Sequence, residues 1–413
     1  MSLTVRILIA LLLGLTCGII LSEWGGGLDG DVVAVAQPLG KAWLNGLQMP
    51  LIPLIFALLV TGIAQAATTA RTSGMAGRTI LLFAIGLLAS ATVAAIVGPL
   101  MLHLWPVPAG ATGALAGASS AADVPGVKPS AEWLLGFIPA NPIKSAADGQ
   151  VVAVVLFALI FGFAVTRVAD ARRAQMTGLF EALADVLLVV VGWVLWLAPF
   201  GVFALALVAG ARSGLATAGA LLHYIGFIVL ICVIVTLFVY PIAIIISRIP
   251  AGRFVRAVFP AQAIAFSTQS SIASLPAMIG ACDGPLAVRE TTRSIVLPLA
   301  ISLFRITSPP ANLGVALYVA AMHGVALGPA QLVMGVLVAA VVSLAAVGLP
   351  SQITFFTTTG PICLAMGVPV EALPLLLAVE TVPDIFRTVG NVTADMAAAR
   401  IVDQVGVRAD DAP

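Results

Sequence analysis

Apolar residues run almost unbroken through stretches at 4–22, 38–66, 78–104, 150–168, 182–210 and 218–247. Each is at least about 18 residues long, enough for a helix to cross a ~30 Å hydrocarbon slab, so six spans are predicted. After 247 the pattern changes. At 263–279, AIAFSTQSSIASLPAMI, two apolar runs flank a hydroxyl-rich middle and a proline. Each half has only about 10–14 apolar residues, too few to span. The same grammar recurs at 333–366, with its break at AVGLPS (346–351). Each unit is followed by a longer helix with polar residues, at 295–327 and 372–402. One unit follows a span ending inside, the other a span ending outside. Interrupted hairpins entering from opposite faces form an inverted repeat, the arrangement that places a solute site near the bilayer midplane. The alternative is two ordinary kinked spans in each unit.

The last apolar stretch carries a polar ridge. Glu380, Asp384, Arg387, Asn391 and Asp395 follow at spacings of 4, 3, 4 and 4. On a helix they fall within an arc of about 80°, with Thr388 beside it, and run about 22 Å. Four charges facing lipid would cost roughly 10 kcal/mol on insertion scales, so the ridge must face protein, water or a ligand. An internal ion-pair network is the plain alternative, with Asp384 and Arg387 satisfying each other.

Composition makes the chain a polytopic integral membrane protein. Of 413 residues 61% are hydrophobic and only 9% charged, and mean hydropathy is +1.14, against about 25% charged in soluble domains. The 19 Lys and Arg nearly cancel the 18 Asp and Glu, leaving no basic field for nucleic acid. Cys17, Cys232, Cys282 and Cys363 lack metal-like spacing, and His103, His223 and His323 are as scattered. Arg6 and an apolar run resemble a signal peptide, but no A-x-A site follows and further spans do, so a retained first helix is expected. With alternating spans, Arg6, Arg71, Arg78, Arg167, Arg172, Arg173, Arg248, Arg253, Arg256 and Arg400 share one side, against Lys41, Lys128, Lys144 and Arg212. The rich side is cytoplasmic and holds both termini. Residues 107–148, rich in Gly, Ala, Ser and Pro, read as a long external loop or small re-entrant elements, mobile at 109–129.

Four segments resemble the dicarboxylate/amino acid:cation symporter family, the glutamate transporter homologues. They are IPANPIKSAADGQVVAVVLFALIFGFAV (138–165), LAPFGVFAL (197–205), the hairpin tip STQSSIASLP (267–276) and DIFRTVGNVTAD (384–395). The last is the most specific. An archaeal member of this family is itself a worked example of the inverted-repeat rule used above, so that agreement is not independent. The resemblance implies an all-α membrane fold of eight transmembrane helices plus two re-entrant hairpins, an inverted-repeat elevator assembled as a homotrimer in the inner membrane. It assigns residues 1–75 to scaffold spans 1 and 2, 76–105 to span 3 of the transport domain, 106–215 to the external loop and scaffold spans 4 and 5, and 216–413 to the rest of the transport domain. It implies no enzyme activity and a small anionic solute, an acidic amino acid or a C4-dicarboxylate, with sodium or a proton as coupling ion. By position, Asp384 meets a substrate amino group, Arg387 a side-chain carboxylate, and Thr388 and Asn391 are neighbouring ligands. Ser270 and Ser271 meet the main carboxylate, Gly348 and Pro350 stand at the second hairpin tip, and Asp395 is a sodium carboxylate. Glu380 joins Asn391 and Asp395 in compensating charge. A guanidinium offers a planar fork to a carboxylate, which suits Arg387 to its role.

One signature is missing. The family's seventh helix carries Asn-Met-Asp-Gly-Thr, and the gapless placement puts Phe304-Arg305-Ile306-Thr307-Ser308 there, with SPP (308–310) supplying the helix break. NLGVALY (312–318) resembles the sequence after the signature but needs a gap on both sides. A carboxylate lost and a guanidinium gained shifts local charge by about +2, and like charges at ~4 Å repel by about 4 kcal/mol at an effective dielectric near 20. Sodium coupling is therefore expected to be weakened or absent, with Arg305 pairing with Asp395 or with the solute beside Ser308. A proton-coupled carrier using Glu380 or Asp395 is the runner-up. An intramembrane enzyme with Ser271 or Ser274 as nucleophile, and a channel or sensor on this fold, stand as other classes; no His or Lys base is expected near those serines.

Overall fold

The computed structural model describes residues 3–24, 29–72, 74–108, 138–345 and 351–410. The loop at 109–129 and the second hairpin tip, with Gly348 and Pro350, lie outside the described residues. Within them the chain is helical, with no strand. Helices α1 (Leu3–Trp24), α2 (Asp29–Gln48), α3 (Leu51–Thr72) and α4 (Gly74–Leu104) are followed by the short α5 (Pro142–Ala147). Then come α6 (Val151–Val165), α7 (Asp170–Trp196), α8 (Ala198–Ser213) and the 33-residue α9 (Leu215–Ser247).

The stretch read as one span at 38–66 is two helices meeting at Met49–Pro50, where proline disfavours helical backbone in the residue before it. The fifth stretch starts earlier than its apolar run, because α7 opens on the polar turn at Asp170–Arg173, where Asp170 accepts from Arg173 at 2.6 Å. Six segments are long and apolar enough to cross a membrane. The 15-residue α6 and the charge-bearing last helix complete eight. Large side chains left exposed on them, such as Leu81, Ile85, Ile96 and Leu100 on α4, suit contact with lipid rather than water.

Close backbone approach joins α1 to α8. A Cβ on Gly14 would stand 2.6 Å from the Phe203 carbonyl oxygen, and one on Gly18 2.3 Å from that of Leu207. This Gly-xxx-Gly pair is the device by which membrane helices pack without a hydrophobic drive.

The two interrupted units are helical hairpins. In the first, α10 (Ala251–Thr268) and α11 (Ser271–Asp283) join through Gln269, in the left-handed region at φ 53°, and Ser270, which caps α11. The arms are 18 and 13 residues long. The first exceeds the expected length because it starts at Ala251, well before the apolar run at 263, and carries Pro260 inside it. At the open end the Arg253 guanidinium donates to the Pro285 carbonyl, tying the start of α10 to the residue beyond α11. In the second, α14 (Pro329–Ala345) and α15 (Ser351–Ala365) are tied alike by Gln331, which donates to the Met366 carbonyl at 2.9 Å.

The first hairpin starts at the C-terminal end of α9. The second starts beyond α13 (Ser308–Met322), whose Tyr318 hydroxyl donates to the Ala220 carbonyl near the N-terminal end of α9. At 1.5 Å per residue α9 is about 50 Å long, so the hairpins enter from opposite ends. Both long helices that follow them are broken. α12 (Glu290–Leu303) and α13 are separated at Phe304–Thr307, and α16 (Leu373–Val379) and α17 (Thr381–Asp410) at Glu380. NLGVALY lies inside α13, beyond the break.

Two apolar clusters fill the interior. One gathers α1–α3, α6–α8, α13–α16 and the N-terminal half of α9; the other gathers α10–α12, α17 and the C-terminal half of α9. Val379 belongs to the first and Val392 to the second, so the start of the polar ridge lies where they meet.

Candidate functional site

The ridge is inside the protein. Glu380, Asp384, Arg387, Thr388, Asn391 and Asp395 are all buried, none more than 6% exposed. Their helical spacing aligns them, and Arg387, two turns on, reaches back toward Glu380. Glu380 accepts a charge-assisted hydrogen bond from Arg387 and a 2.6 Å bond from the Tyr224 hydroxyl of α9. The Asp384 carboxylate stands 3.8 Å from the same guanidinium. Arg387 is thus held between two carboxylates, one in direct contact. Its Nε has no partner among the described residues.

Below this pair the ridge fastens the other broken helix. The Thr307 amide donates to Asn391 Oδ1 at 3.0 Å, and the Thr307 hydroxyl is shared between that oxygen and the Arg387 carbonyl, each at 2.7 Å. The break at Phe304–Thr307 therefore sits against the ridge. Gly390 makes the approach possible, since a Cβ there would lie 2.4 Å from both Thr236 Oγ1 and Thr307 Cγ2. Gly390→Ala is expected to cost about 1–3 kcal/mol through overpacking, read as a lowered melting temperature in detergent; an unchanged one would place the break elsewhere.

The remaining expected residues divide. Thr388 spends its hydroxyl on the Asp384 carbonyl at 2.8 Å. Ser308 is buried and starts α13, with its amide on the Arg305 carbonyl at 2.9 Å. Ser270 and Ser271 are half-buried at the first hairpin tip. Ser270 Oγ caps α11 by accepting from the Ala273 amide at 3.2 Å. No described hydrogen bond joins either serine to the charged ridge. The Arg305 guanidinium forms no hydrogen bond or ion pair among the described residues, so the expected direct pairing with Asp395 is not made. Asp395 is 1% exposed, and neither of its carboxylate oxygens has a donor among the described residues.

Sequence reasoning missed several partners. Tyr224 contacts Glu380 across 156 positions. Thr307 was read only as part of the break. Asn312 donates to Thr358 at 2.9 Å and joins the TTT run of α15 to α13, all of it buried. His223, near the N-terminal end of α9, stands 3.2 Å from both the Tyr318 hydroxyl and the Trp105 carbonyl. Nothing in the sequence singled out Tyr224, since Tyr240 lies in the same apolar span.

The model of the sodium:dicarboxylate symporter family matches residues 3–405. The chain belongs to that family. It is 27% identical to the proton/sodium-glutamate symport protein of Bacillus subtilis, over 98% of this chain and 92% of that protein. It is 25% identical to the proton/glutamate-aspartate symporter of Escherichia coli, over 97% and 92%. It is also 27% identical to the C4-dicarboxylate transport protein of Deinococcus radiodurans, over 97% and 89%. The symporter is thus an all-α multi-pass membrane protein of a transport family and not an enzyme. The reading of Ser271 or Ser274 as a nucleophile falls; Ser274 is buried and donates to the Ser270 carbonyl at 3.0 Å.

The donor set of this symporter fits a sodium ion poorly. At the break Phe304 and Ile306 offer no side-chain oxygen, and Asn391 Oδ1 is already taken by Thr307. Among the described residues Asp395 is the carboxylate of the ridge whose oxygens have no donor.

Proposed function

We propose that this symporter carries a small anion with two carboxylates, an acidic amino acid or a C4-dicarboxylate, by an elevator movement. In this reading spans 1, 2, 4 and 5 are the scaffold of a homotrimer in the inner membrane, with both termini cytoplasmic. Span 3 and residues 216–413 carry the solute. The observation that supports it most is the Arg387 guanidinium, buried at the meeting of two broken helices and held there by Glu380 and Asp384. A buried guanidinium offers a solute carboxylate its planar fork, and Asp384, at 3.8 Å, is the counter-charge it holds less closely. The relatives, named for glutamate, aspartate and C4-dicarboxylates, support the solute class. Ser270 and Ser271 at the first hairpin tip are assigned to the solute's main carboxylate, and Gly348 and Pro350 to binding the solute.

Asp384 decides between the two solutes, because an amino acid brings an ammonium that a carboxylate stabilises and a plain dicarboxylate does not. Titration calorimetry of aspartate and succinate against wild type and Asp384→Asn tests this. Aspartate binding is expected to weaken about tenfold or more, one charge-assisted contact, while succinate holds or improves. Equal loss of both would remove Asp384 from the ammonium position. Absence of saturable exchange of labelled for unlabelled solute in liposomes would favour a channel or sensor instead.

A further inference from the structure

The break in span 7 has two unlike faces. Toward α4, the Phe304 ring stacks on Phe83, with centroids 4.5 Å apart and planes 11° from parallel. It lies so close over Gly86 that a Cβ there would stand 2.7 Å from it. Phe304 and Ile306 line a crevice of about 130 Å³ with Ser90, Val239, Ala394 and Ala398, and no charged side chain is among its walls. A cation on that face of the break would find no carboxylate.

Between these two apolar residues stands Arg305, half-buried, its guanidinium without a hydrogen bond or ion pair among the described residues. Asp384 and Asp395 lie within electrostatic reach of its guanidinium and attract it, and Arg387 repels it. Asp395 completes the picture, because its two buried oxygens have no donor. A bare carboxylate in such a place needs a positive charge nearby or a proton, since the desolvation of an unpaired ion costs several kcal/mol. Thr307, two residues beyond Arg305, is fastened to Asn391, one helical turn before Asp395, so the two unpartnered charges stand on adjoining segments.

We infer that Arg305 is a tethered counter-cation for Asp395, so that solute movement needs no sodium ion at this carboxylate. The guanidinium travels with the broken helix instead of being taken from solution. This rests on the carrier reading above and deepens it.

The test uses the full-length chain in liposomes, with uptake of labelled aspartate and succinate measured in sodium chloride and in choline chloride. Wild type is expected to differ by less than about twofold between the two salts. Arg305→Gln is expected to lose about tenfold or more in choline and to recover in sodium, which then supplies the missing charge. Arg305→Gln combined with Asp395→Asn removes both charges and is expected to restore uptake in choline. Sodium is also expected to raise the melting temperature of Arg305→Gln in detergent and to leave wild type unmoved. Strict sodium dependence of wild-type uptake overturns the inference whether or not the variants fold, as does an Arg305→Gln variant that transports equally in both salts. Those outcomes leave the carrier reading standing. Failure of saturable exchange with either solute in every salt overturns both.

Discussion

Arg387→Ala is expected to weaken binding of the two-carboxylate solute by about 30-fold or more. Truncating one member of a buried, hydrogen-bonded charge pair costs about 2–5 kcal/mol, and 2 kcal/mol is already a factor of about 30. Two effects combine. The solute loses the planar fork that its carboxylate would engage, and Glu380 and Asp384 lose the cation that stands between them. Arg387→Lys separates the two, because it keeps the charge and loses the fork. It should retain most of the melting temperature and recover only part of the affinity. Calorimetry with aspartate and succinate, paired with thermal unfolding in detergent, reads both. If Arg387→Ala binds either solute as wild type does, the guanidinium is a packing cation and the site lies elsewhere.

Glu380→Gln should move affinity the other way. Glu380 is the carboxylate in direct contact with Arg387, and Tyr224 holds it in place at 2.6 Å. Removing one member of a buried pair costs about 3–5 kcal/mol, because the other charge is left uncompensated. The solute's own carboxylate then has only the more distant Asp384 as a competitor for the guanidinium. The variant is therefore expected to melt lower than wild type on its own, to gain more in melting temperature on adding aspartate or succinate, and to bind them more tightly. Tyr224→Phe, which leaves the charge and removes only the tether, should show a weaker form of the same behaviour. A Glu380→Gln variant that melts lower but gains nothing from the solute would mean that Glu380 does not compete for Arg387.

How much of this was legible in the sequence follows from what each feature depends on. The ridge from Glu380 to Asp395 was readable because α17 is regular, so spacing alone aligns its side chains. The break in span 7 was readable because SPP removes consecutive donors, and the structure unwinds the chain just before it, at Phe304–Thr307. Prolines were a poor guide elsewhere. Pro241 and Pro298 sit inside continuous helices, as membrane neighbours allow. Only the first arm of the first hairpin was misjudged, because α10 starts at Ala251, well before the apolar run at 263. Contacts that rest on one group from a distant helix were out of reach. Tyr224 looks like any aromatic in an apolar span until Glu380 is set beside it. The lack of a direct Arg305–Asp395 pair was equally hidden, because spacing says which helices carry the charges and not how far apart their tips stop.

The ties at the open ends of the two hairpins, Arg253 to Pro285 and Gln331 to Met366, have a consequence for gating. A pair of arms riveted at its base cannot admit a solute by splaying there. With its arms also continuous through Gln269 and Ser270, the first hairpin moves as one lever hinged at its tied end.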